Sequence, residues 1–322
     1  MRAAVYRRRG PAAEVLTVEE IDTPQPGPGE VRVRIAVSGV NPTDWKSRSA
    51  PGEVAYGFQV PNQDGAGVID AVGPGVDPVR VGQRVWVYFA ARQHQYGTAA
   101  EYTVVPAERA VPLPDDVDPD LAASLGIPAM TAHRCLFADG PVDGRTVLVA
   151  GGAGAVGHFA IQLARDAGAT VVTTVSSAEK AALAEAAGAH HVVNYRRGDA
   201  AEAIRAVAPD GVDRIVEVAL ATNLALDLAV AAPDAAVATY ADEPTRPALP
   251  VRELMVRNLV LRFVLIYTVP PAALRQAVTD ITAALTRGAL TGLPTRRYPL
   301  VEIAAAHDAV QAGAVGKVLV DL

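Results

Sequence analysis

The pattern of apolar and polar positions changes about a third of the way along the chain. In the first part, Val31, Val33, Ile35 and Val37 alternate with polar or small residues, and Pro and Gly separate several short runs of this kind. Alternation with a period of two predicts strands with one buried and one exposed face. We therefore expect an irregular β-barrel or curled sheet, with strands at 3–6, 30–37, 67–72, 84–88 and 100–105.

From about residue 120 onward, helical and strand patterns alternate. Ala-rich segments with helical spacing separate short apolar runs at 147–150, 170–175, 191–194, 214–218, 235–240 and 259–266. This order predicts a doubly wound parallel sheet, so the fold class is α/β. A helix near 272–287 and a strand at 317–321 are expected to follow. Because 322 residues, half of them hydrophobic, exceed one comfortable core, we expect two domains.

A glycine-rich turn follows the predicted strand at 147–150. Gly152, Gly154 and Gly157 satisfy the pattern G-x-G-x-x-G between a strand and a helix. In that setting the glycines permit a sharp turn, close approach to a pyrophosphate, and tight packing of helix on strand. Free amides at the helix start would hold the phosphates. The turn therefore indicates a dinucleotide site, although the motif alone is also compatible with an ordinary βα turn.

The residues after the second strand of this region bear on which nucleotide is bound. No Asp or Glu stands at the strand end, whereas Ser176 and Lys180 follow it closely and Glu179 fits the first turn of the next helix. An acid at the strand end would bind the ribose 2′-OH of NAD, whereas a cation and hydroxyls accommodate the 2′-phosphate of NADP. The sequence thus favours NADPH. A solvated helix face is an equally good account of Lys180 by itself.

Composition excludes several classes of protein. The formal net charge is −6, and no basic run could follow a phosphate backbone, so we expect no nucleic-acid partner. The single cysteine, Cys135, excludes an internal disulfide and Cys-based zinc sites, and the six His show no ligand spacing, so no metal is expected. No segment reaches the roughly 18 uninterrupted apolar residues of a membrane helix, and the first residues lack a signal-like apolar core. We expect a cytoplasmic protein with no membrane partner.

Several segments together resemble the zeta-crystallin-like quinone oxidoreductases of the medium-chain dehydrogenase/reductase superfamily. The resemblance implies a GroES-like catalytic domain formed by 1–122 and completed by 269–322, a Rossmann domain at 123–268, and an active site in the cleft between them. It also implies a zinc-free enzyme, because Asn62-Gln63-Asp64 stands where zinc-containing relatives have Gly-His-Glu, and Asn41 stands where they have an early Cys. The matching segments are 40–44, 61–69, 96–102, 126–133, 151–157, 188–189, 192–196 and 316–319.

The resemblance also implies site residues. Asn41 and Asp44 would lie near the nicotinamide ribose, and Tyr56, in the loop that follows them, is a candidate proton donor. The loop 47–59 differs from relatives and is expected to shape the acceptor pocket. The implied cofactor-binding residues are Thr131, Gly152, Gly154, Ala155, Val156, Gly157, Ser176, Lys180, Tyr195, Ala219, Leu220, Phe263, Val264, Leu265 and Lys317.

The implied activity is NADPH-dependent reduction of quinones by hydride transfer without zinc. Without a Lewis acid to polarise a carbonyl, reduction of a conjugated acceptor is the natural chemistry. An NADPH-dependent enoyl or enone reductase on the same fold remains an alternative, and a non-catalytic NADPH-binding protein is a third. The run 262–267 is expected to be an edge strand through which the chain forms a homodimer, as relatives do.

Overall fold

The computed structural model describes all 322 residues, which divide into two compact units. The first unit comprises Met1–Ile127 and Gly292–Leu322, and the second comprises Pro128–Thr291. The chain therefore leaves the first unit once and returns to it. No helix in the chain combines the length and the apolar character needed to cross a bilayer.

The first unit is mainly β-structure. Its amino-terminal elements are β1 (Arg2–Val5), α1 (Ala12–Val15), β2 (Thr17–Glu20), β3 (Glu30–Gly39), α2 (Pro42–Ser49), β4 (Asp64–Val72), β5 (Arg84–Val87), β6 (Tyr102–Pro106), β7 (Ala110–Pro112) and α3 (Pro119–Ala122). Helix α4 (Gly126–Phe137) crosses into the second unit.

The second unit alternates strands and helices. Its elements are β8 (Thr146–Ala150), α5 (Ala155–Asp166), β9 (Thr170–Val175), α6 (Ala178–Ala186), β10 (His191–Asn194), α7 (Ala200–Val207), β11 (Val212–Glu217), α8 (Leu220–Val230), β12 (Ala231–Thr239), α9 (Val251–Val256), β13 (Val260–Phe263) and α10 (Pro271–Thr286). The carboxyl-terminal elements β14 (Thr295–Pro299), α11 (Ile303–Gln311) and β15 (Lys317–Asp321) rejoin the first unit.

The long strand β3 organises the first unit. It pairs antiparallel with β4, β6 and β15, within a seven-stranded sheet that has the order β14-β15-β3-β4-β5-β7 and β6 attached to β3. Val31, Val33, Ile35 and Val37 are all buried, whereas Arg34 on the opposite face is exposed. The alternation predicted from the sequence is confirmed, and its physical reason is that only one face of β3 covers the core.

The second unit is a doubly wound sheet, as the sequence predicts. Its six parallel strands have the order β10-β9-β8-β11-β12-β13, so the chain moves outward from β8 to one edge and then restarts beside β8. This reversal between β8 and β11 is the topological switch point at which open α/β sheets bind ligands, beyond the carboxyl ends of the strands. The glycine-rich turn leaves the carboxyl end of β8, at this switch point.

The last strand of this sheet is shorter than predicted. We expected a strand at 259–266, but β13 ends at Phe263 and a 3-10 turn occupies Ile266–Thr268. Its partner β12 ends at Thr239, and the Val264 amide donates to the Thr239 carbonyl in the last bond between them, at 2.8 Å. The prediction was wrong beyond Phe263 because no backbone remains there to pair with.

The boundaries of the units differ from the predicted 122/123 and 268/269 mainly in helix α10. The structure places Pro271–Thr286 in the second unit, and the chain returns to the first unit only at Gly292. Two side-chain contacts hold α10 there: His133 on α4 lies 2.7 Å from Asp280 Oδ2, and Arg287 pairs with Asp166 at the end of α5. Such contacts between distant residues cannot be predicted from local sequence patterns.

Candidate functional site

The turn between β8 and α5 leaves no room for side chains at two of its glycines. A Cβ at Gly152 would stand 2.1 Å from Thr173 Oγ1, and a Cβ at Gly157 would stand 2.4 Å from the Gly151 carbonyl oxygen. At Gly154 the nearest atom to such a Cβ is the same carbonyl oxygen, at 3.3 Å. The packing of the chain therefore demands glycine at Gly152 and Gly157 and only weakly favours it at Gly154. A bound group that approaches the backbone closely at this point would explain why residue 154 is glycine.

The start of helix α5 is suited to an anion. Gly154 is the N-cap residue, and no side chain accepts a hydrogen bond from the first amides of the helix. These amides, which belong to Ala155, Val156 and Gly157, have no acceptor within the helix. The helix dipole adds positive potential at the same end. The five predicted turn residues thus lie together around a helix start that can bind phosphate.

The predicted 2′-phosphate residues lie at the carboxyl ends of β9 and β10. Lys180 Nζ donates to Ser176 Oγ at 3.2 Å, so these two side chains meet. The Tyr195 amide donates to the Val175 carbonyl at 3.1 Å, which holds Tyr195 beside the residue that precedes Ser176, with its side chain 50% exposed. An ammonium and two hydroxyl-bearing side chains are thus available at one surface, which is the chemistry that an added phosphate requires.

Glu217 at the carboxyl end of β11 and Asp227 in α8 form an acid pair that the sequence analysis missed. Buried Glu217 accepts hydrogen bonds from the Ala219 amide and from Asn223 Nδ2, the latter at 3.0 Å. Burial, followed by the nearby charge of Glu217, raises the pKa of Asp227 to about 9, so Asp227 carries a proton at neutral pH. The pair fixes the backbone at Ala219, which the resemblance assigns to the cofactor. Leu220 is buried in the core, so its backbone is the part left for a ligand.

The remaining predicted cofactor residues of the second unit lie in different environments. Thr131 is buried within α4. At the end of β13, Val264 is buried, whereas Phe263 and Leu265 are 69% and 57% exposed. Nothing within this unit covers these two apolar side chains, so they are free to contact a ligand or another protein surface.

In the first unit, the start of α2 joins a buried polar network. Asn41 and Asp44 form a capping box, in which the Asn41 amide donates to Asp44 Oδ2 at 2.7 Å. Asn41 Nδ2 donates to Asp64 Oδ2 at 2.7 Å, and Lys317 Nζ donates to Asn41 Oδ1 at 2.7 Å and to the Val40 carbonyl at 3.2 Å. The side chain of Asn41 is thus held at its oxygen by Lys317 and at its nitrogen by Asp64.

The charges in this network are strongly influenced by burial. Burial raises the pKa of Asp64 to about 6, with Lys317 opposing the shift, and the Ile127 amide also donates to Asp64, at 2.9 Å. Burial, together with the charge of Asp64, raises the pKa of Asp44 to about 8. At neutral pH, Asp64 is therefore ionised beside the Lys317 ammonium, and Asp44 is largely protonated. Asp44 Oδ1 has no hydrogen-bond partner.

The protonated Asp44 borders a cavity of about 470 Å³ that lies wholly within the first unit. Tyr56, the candidate proton donor, lines the same cavity, and its hydroxyl donates to the Gln93 carbonyl at 2.9 Å. The structure thus brings Asp44 and Tyr56 to one cavity and places the loop 47–59 on its wall. Among the lining residues that the sequence analysis missed are Tyr6, Arg9 and His94.

These three residues carry no signal that sequence reasoning could use. They come from the segment that follows β1 and from the loop after β5, and only the fold brings them to Asp44. Asp64 was similarly noted only for its place opposite a zinc-binding motif, although it anchors the network. No group of three or more His, Cys, Asp or Glu side chains in the chain is placed so that it could hold a metal ion. The Cys135 thiol is buried.

Comparisons with known proteins agree with this architecture. Residues 27–115 match the alcohol dehydrogenase GroES-like domain, and residues 155–283 match the zinc-binding dehydrogenase family. Over 95% of this chain and 94% of its own length, a 2-haloacrylate reductase from Burkholderia sp is 32% identical. Over 99% of this chain and 97% of its own length, a quinone oxidoreductase from Homo sapiens is 30% identical.

A solved structure extends the similarity to three dimensions. A mycobacterial protein determined in complex with NADPH is 32% identical, has a TM-score of 0.85, and aligns over 100% of both chains. Matches over nearly the whole length, in both units and in both sequence and fold, exclude a chance likeness of one domain. The chain therefore belongs to the zeta-crystallin-like quinone oxidoreductase family of the medium-chain dehydrogenase/reductase superfamily.

Proposed function

We propose that this protein is an NADPH-dependent oxidoreductase that reduces quinones by hydride transfer without zinc. The observation that carries the proposal is the start of α5, where uncapped amides and the absence of a side chain at Gly154 leave space for a pyrophosphate. The similarity to the human quinone oxidoreductase supports the acceptor class, and the NADPH complex of the mycobacterial structure supports the cofactor.

The residues of the second unit fit NADPH. The α5 amides would hold the pyrophosphate, and Ser176, Lys180 and Tyr195 would surround the 2′-phosphate. The acid pair under Ala219 would keep its backbone in place toward the nicotinamide end. When bound, NADPH supplies a hydride. The chain contributes orientation and exclusion of water, which account for much of the rate in such enzymes.

Zinc independence is part of the proposal, although one matching family is described as zinc-binding. Asn41 and Asp64 stand where the zinc-containing relatives have ligands, and in this chain both side chains are engaged with or adjacent to the Lys317 ammonium. Asn41 Oδ1, the atom through which an amide could bind a metal, already accepts a hydrogen bond from Lys317 Nζ, and Gln63 stands where the zinc-containing relatives have His. The residues present therefore fit a hydrogen-bonded structural network and do not fit a catalytic zinc site.

The network also suggests where a proton is held. Reduction of a quinone consumes one hydride and one proton, giving the hydroquinone anion first and the neutral hydroquinone on protonation. Asp44 is largely protonated at neutral pH and borders the cavity, so it can hold that proton, and the Tyr56 hydroxyl on the same wall is the second candidate. We propose that Asn41, fixed by Lys317 and Asp64, orients the reacting partners beside Asp44.

Reduction of a conjugated alkene is the alternative activity. The similarity to a 2-haloacrylate reductase favours it, because such a reductase adds hydride and proton across a carbon–carbon double bond. The two activities need the same cofactor and the same two additions, so the residues described so far serve both. Binding of NADPH without turnover of any acceptor would instead support a non-catalytic protein.

A homodimer is also proposed, with a cytoplasmic location as its expected setting. Strand β13 lies at the edge of the sheet and pairs only with β12. Exposed apolar side chains accompany this edge on β13 and on α9, and an unpaired apolar edge is suited to pairing with a second copy. Phe263→Asp should lower the mass in solution by half, whereas Val301→Asp, at an exposed apolar residue of the first unit, should not. The exposed apolar side chains in or next to α9 and β13 are Leu249, Val251, Met255, Val256, Val260, Phe263 and Leu265.

The experiment for the main proposal follows the loss of NADPH absorbance with a quinone, an enone and an enoyl thioester, in the presence of a chelator. We expect turnover of the quinone, faster with NADPH than with NADH. Turnover of alkenes only would establish the alternative. Loss of activity in the chelator, with one zinc per chain in the untreated protein, would contradict the zinc-free mechanism.

A further inference from the structure

Several polar side chains line the cavity beside Asp44. Its volume of about 470 Å³ is within the range of small-molecule sites. Such sites are usually lined mainly by apolar side chains, with few polar groups that set the orientation of the ligand. Here the lining includes one cation together with several amide and hydroxyl groups, which are contributed by Arg9, Tyr56, Gln59, Gln63 and Gln93.

Arg9 is held in place without being neutralised. Its Nε donates to the Glu53 carbonyl at 3.3 Å, and its Nη1 donates to the Ser47 carbonyl. Both acceptors are neutral backbone groups, so the full positive charge of the guanidinium remains. The Nη2 amino group is left with two N–H donors for a ligand. Because the backbone bonds hold the side chain, little further rotamer entropy is lost when an anion binds.

The two arginines that precede Arg9 both have acidic partners. Arg7 forms a two-pronged ion pair with Glu19, at 2.6 and 2.8 Å, and Arg8 lies 3.9 Å from Glu14. Neither of them lines the cavity beside Asp44. Of three consecutive arginines, Arg9 alone both faces this cavity and lacks an acidic partner.

No other charge in the cavity offsets Arg9. Asp44 is the one acid among the lining residues, and its pKa of about 8 leaves it largely neutral at pH 7. His94 Nδ1 accepts a hydrogen bond from the Tyr96 amide at 3.3 Å, which directs the ring proton to Nε2 and makes His94 a further donor. The cavity therefore has positive potential and hydrogen-bond donors, which are the properties that bind an anion.

We infer that the acceptor reduced by this protein carries a carboxylate or sulfonate group, and that the guanidinium of Arg9 binds it. The inference rests on the proposed function for the reduction step. NADPH supplies the hydride, the acceptor takes up the hydride and one proton, and the anionic group takes no part in the bond changes. Arg9 is thus a specificity-determining residue, and the preferred acceptors are anionic quinones or α,β-unsaturated carboxylates rather than their neutral counterparts.

Matched acceptors that differ in one charge test this inference. We would compare 1,2-naphthoquinone-4-sulfonate with 1,2-naphthoquinone, and 2-chloroacrylate with its methyl ester, in wild type, Arg9→Gln, Arg9→Lys and Arg8→Gln. Arg9→Gln should lower kcat/KM about tenfold or more for the anionic member of a pair and about twofold or less for the neutral member. Arg9→Lys should restore part of the loss, and Arg8→Gln should match wild type. Comparing each variant with wild type on one acceptor removes differences in intrinsic reactivity.

Binding without reaction separates this inference from the proposed function. The dissociation constant of 1-naphthalenesulfonate, which cannot accept a hydride, should rise about tenfold in Arg9→Gln, while that of 1-naphthol stays unchanged. If no acceptor is reduced but this selectivity is found, the proposed function fails and the anion subsite stands. If Arg9→Gln lowers kcat/KM equally for both members of each acceptor pair, or for neither member, the inference is overturned. Circular dichroism and the melting temperature would identify a variant that fails to fold, in which case Arg9→Lys decides.

Discussion

The two units build their sites from different materials. In the second unit, the site at the start of α5 is made of backbone amides and of glycines that keep side chains away. In the first unit, the site is made of side chains, namely the network of Asn41, Asp64 and Lys317 and the cavity beside Asp44. A phosphate is recognised by geometry that a short stretch of chain can supply, whereas an acceptor is recognised by groups gathered from distant positions.

This difference determines which substitutions each site tolerates. A backbone site is damaged by adding atoms, because amide positions are unaffected until a side chain blocks the approach or shifts the turn. A buried polar network is damaged by removing atoms, because the partner that remains is left desolvated and unpaired. Four predictions test this contrast.

Adding a side chain to the turn should abolish NADPH binding by two distinguishable routes. Gly154→Val should leave the melting temperature nearly unchanged and weaken NADPH binding about 100-fold or more, because the pyrophosphate can no longer approach the amides. Gly157→Val should destabilise the second unit itself, because its Cβ would stand 2.4 Å from the Gly151 carbonyl oxygen. Calorimetry and NADPH titration would measure both. Gly292→Ala is the control, since nothing lies within 4 Å of its Cβ; normal NADPH affinity in Gly154→Val would show that the turn has another role.

Removing the ammonium from the buried network should be costly in a different way. Lys317→Met is expected to lower the free energy of unfolding by about 3–5 kcal/mol, because Asp64 and Asn41 lose their cation. The double variant Lys317→Met with Asp64→Asn should regain part of that loss. Urea unfolding measures each value, and exposed Lys46→Met serves as the control. An equal loss in the single and double variants would mean that Lys317 acts through packing alone.

Removing the ammonium at the 2′-phosphate should affect one cofactor and spare the other. Lys180→Ala is expected to raise the Kd of NADPH about 10- to 100-fold, since a hydrogen bond to a charged group contributes about 1.5–3 kcal/mol. The Kd of NADH should stay unchanged. Glu179→Ala, at the adjacent position of the same helical turn, is the matched control. An unchanged preference for NADPH in Lys180→Ala would remove this residue from the phosphate site.

The fourth prediction concerns pH. Because the pKa of Asp44 is about 8 in the folded protein and 3.8 as its ordinary value, the folded state binds the proton more tightly than the unfolded state between these values. The contribution of Asp44 to stability is therefore fully present below about pH 4 and is lost as the pH rises through about 8. The Asn side chain in Asp44→Asn does not titrate, so the stability of this variant has no pH-dependent contribution from position 44. Its free energy of unfolding relative to wild type should increase across this window, by up to about 1.4 kcal/mol per pH unit.

Urea unfolding at several pH values measures that difference, and subtracting the two proteins cancels the titration of other groups. A difference that does not change with pH would show that Asp44 is ionised throughout the window. The buried residue Asp227, whose pKa is about 9, is expected to contribute in the same sense between about pH 4 and pH 9. Asp227→Asn should therefore also change the slope in this window, and comparing Asp44→Asn with wild type removes that common contribution.

Local patterns predicted most of the fold. Strands β9, β10 and β15 begin and end where the sequence placed them, because each is a short apolar run bounded by turn-forming or polar residues. Strand β13 was predicted too long, because its end depends on where β12 stops. The unit boundary near Gly292 could not be predicted either, because it depends on contacts of α10 with residues more than a hundred positions away.

The sequence alone predicted most of the elements and the glycine turn, because these depend on periodicity and on residues close along the chain. The placing of Ser176, Lys180 and Tyr195 around a phosphate stays a prediction, to which the family resemblance contributed Tyr195. The tertiary structure was needed to show that Asn41 links Lys317 to Asp64, that burial raises the pKa of Asp44, and that Arg9 lines a cavity without forming an ion pair. Desolvation and Coulomb interactions depend on distance in space and on burial, and neither can be read from spacing in the sequence.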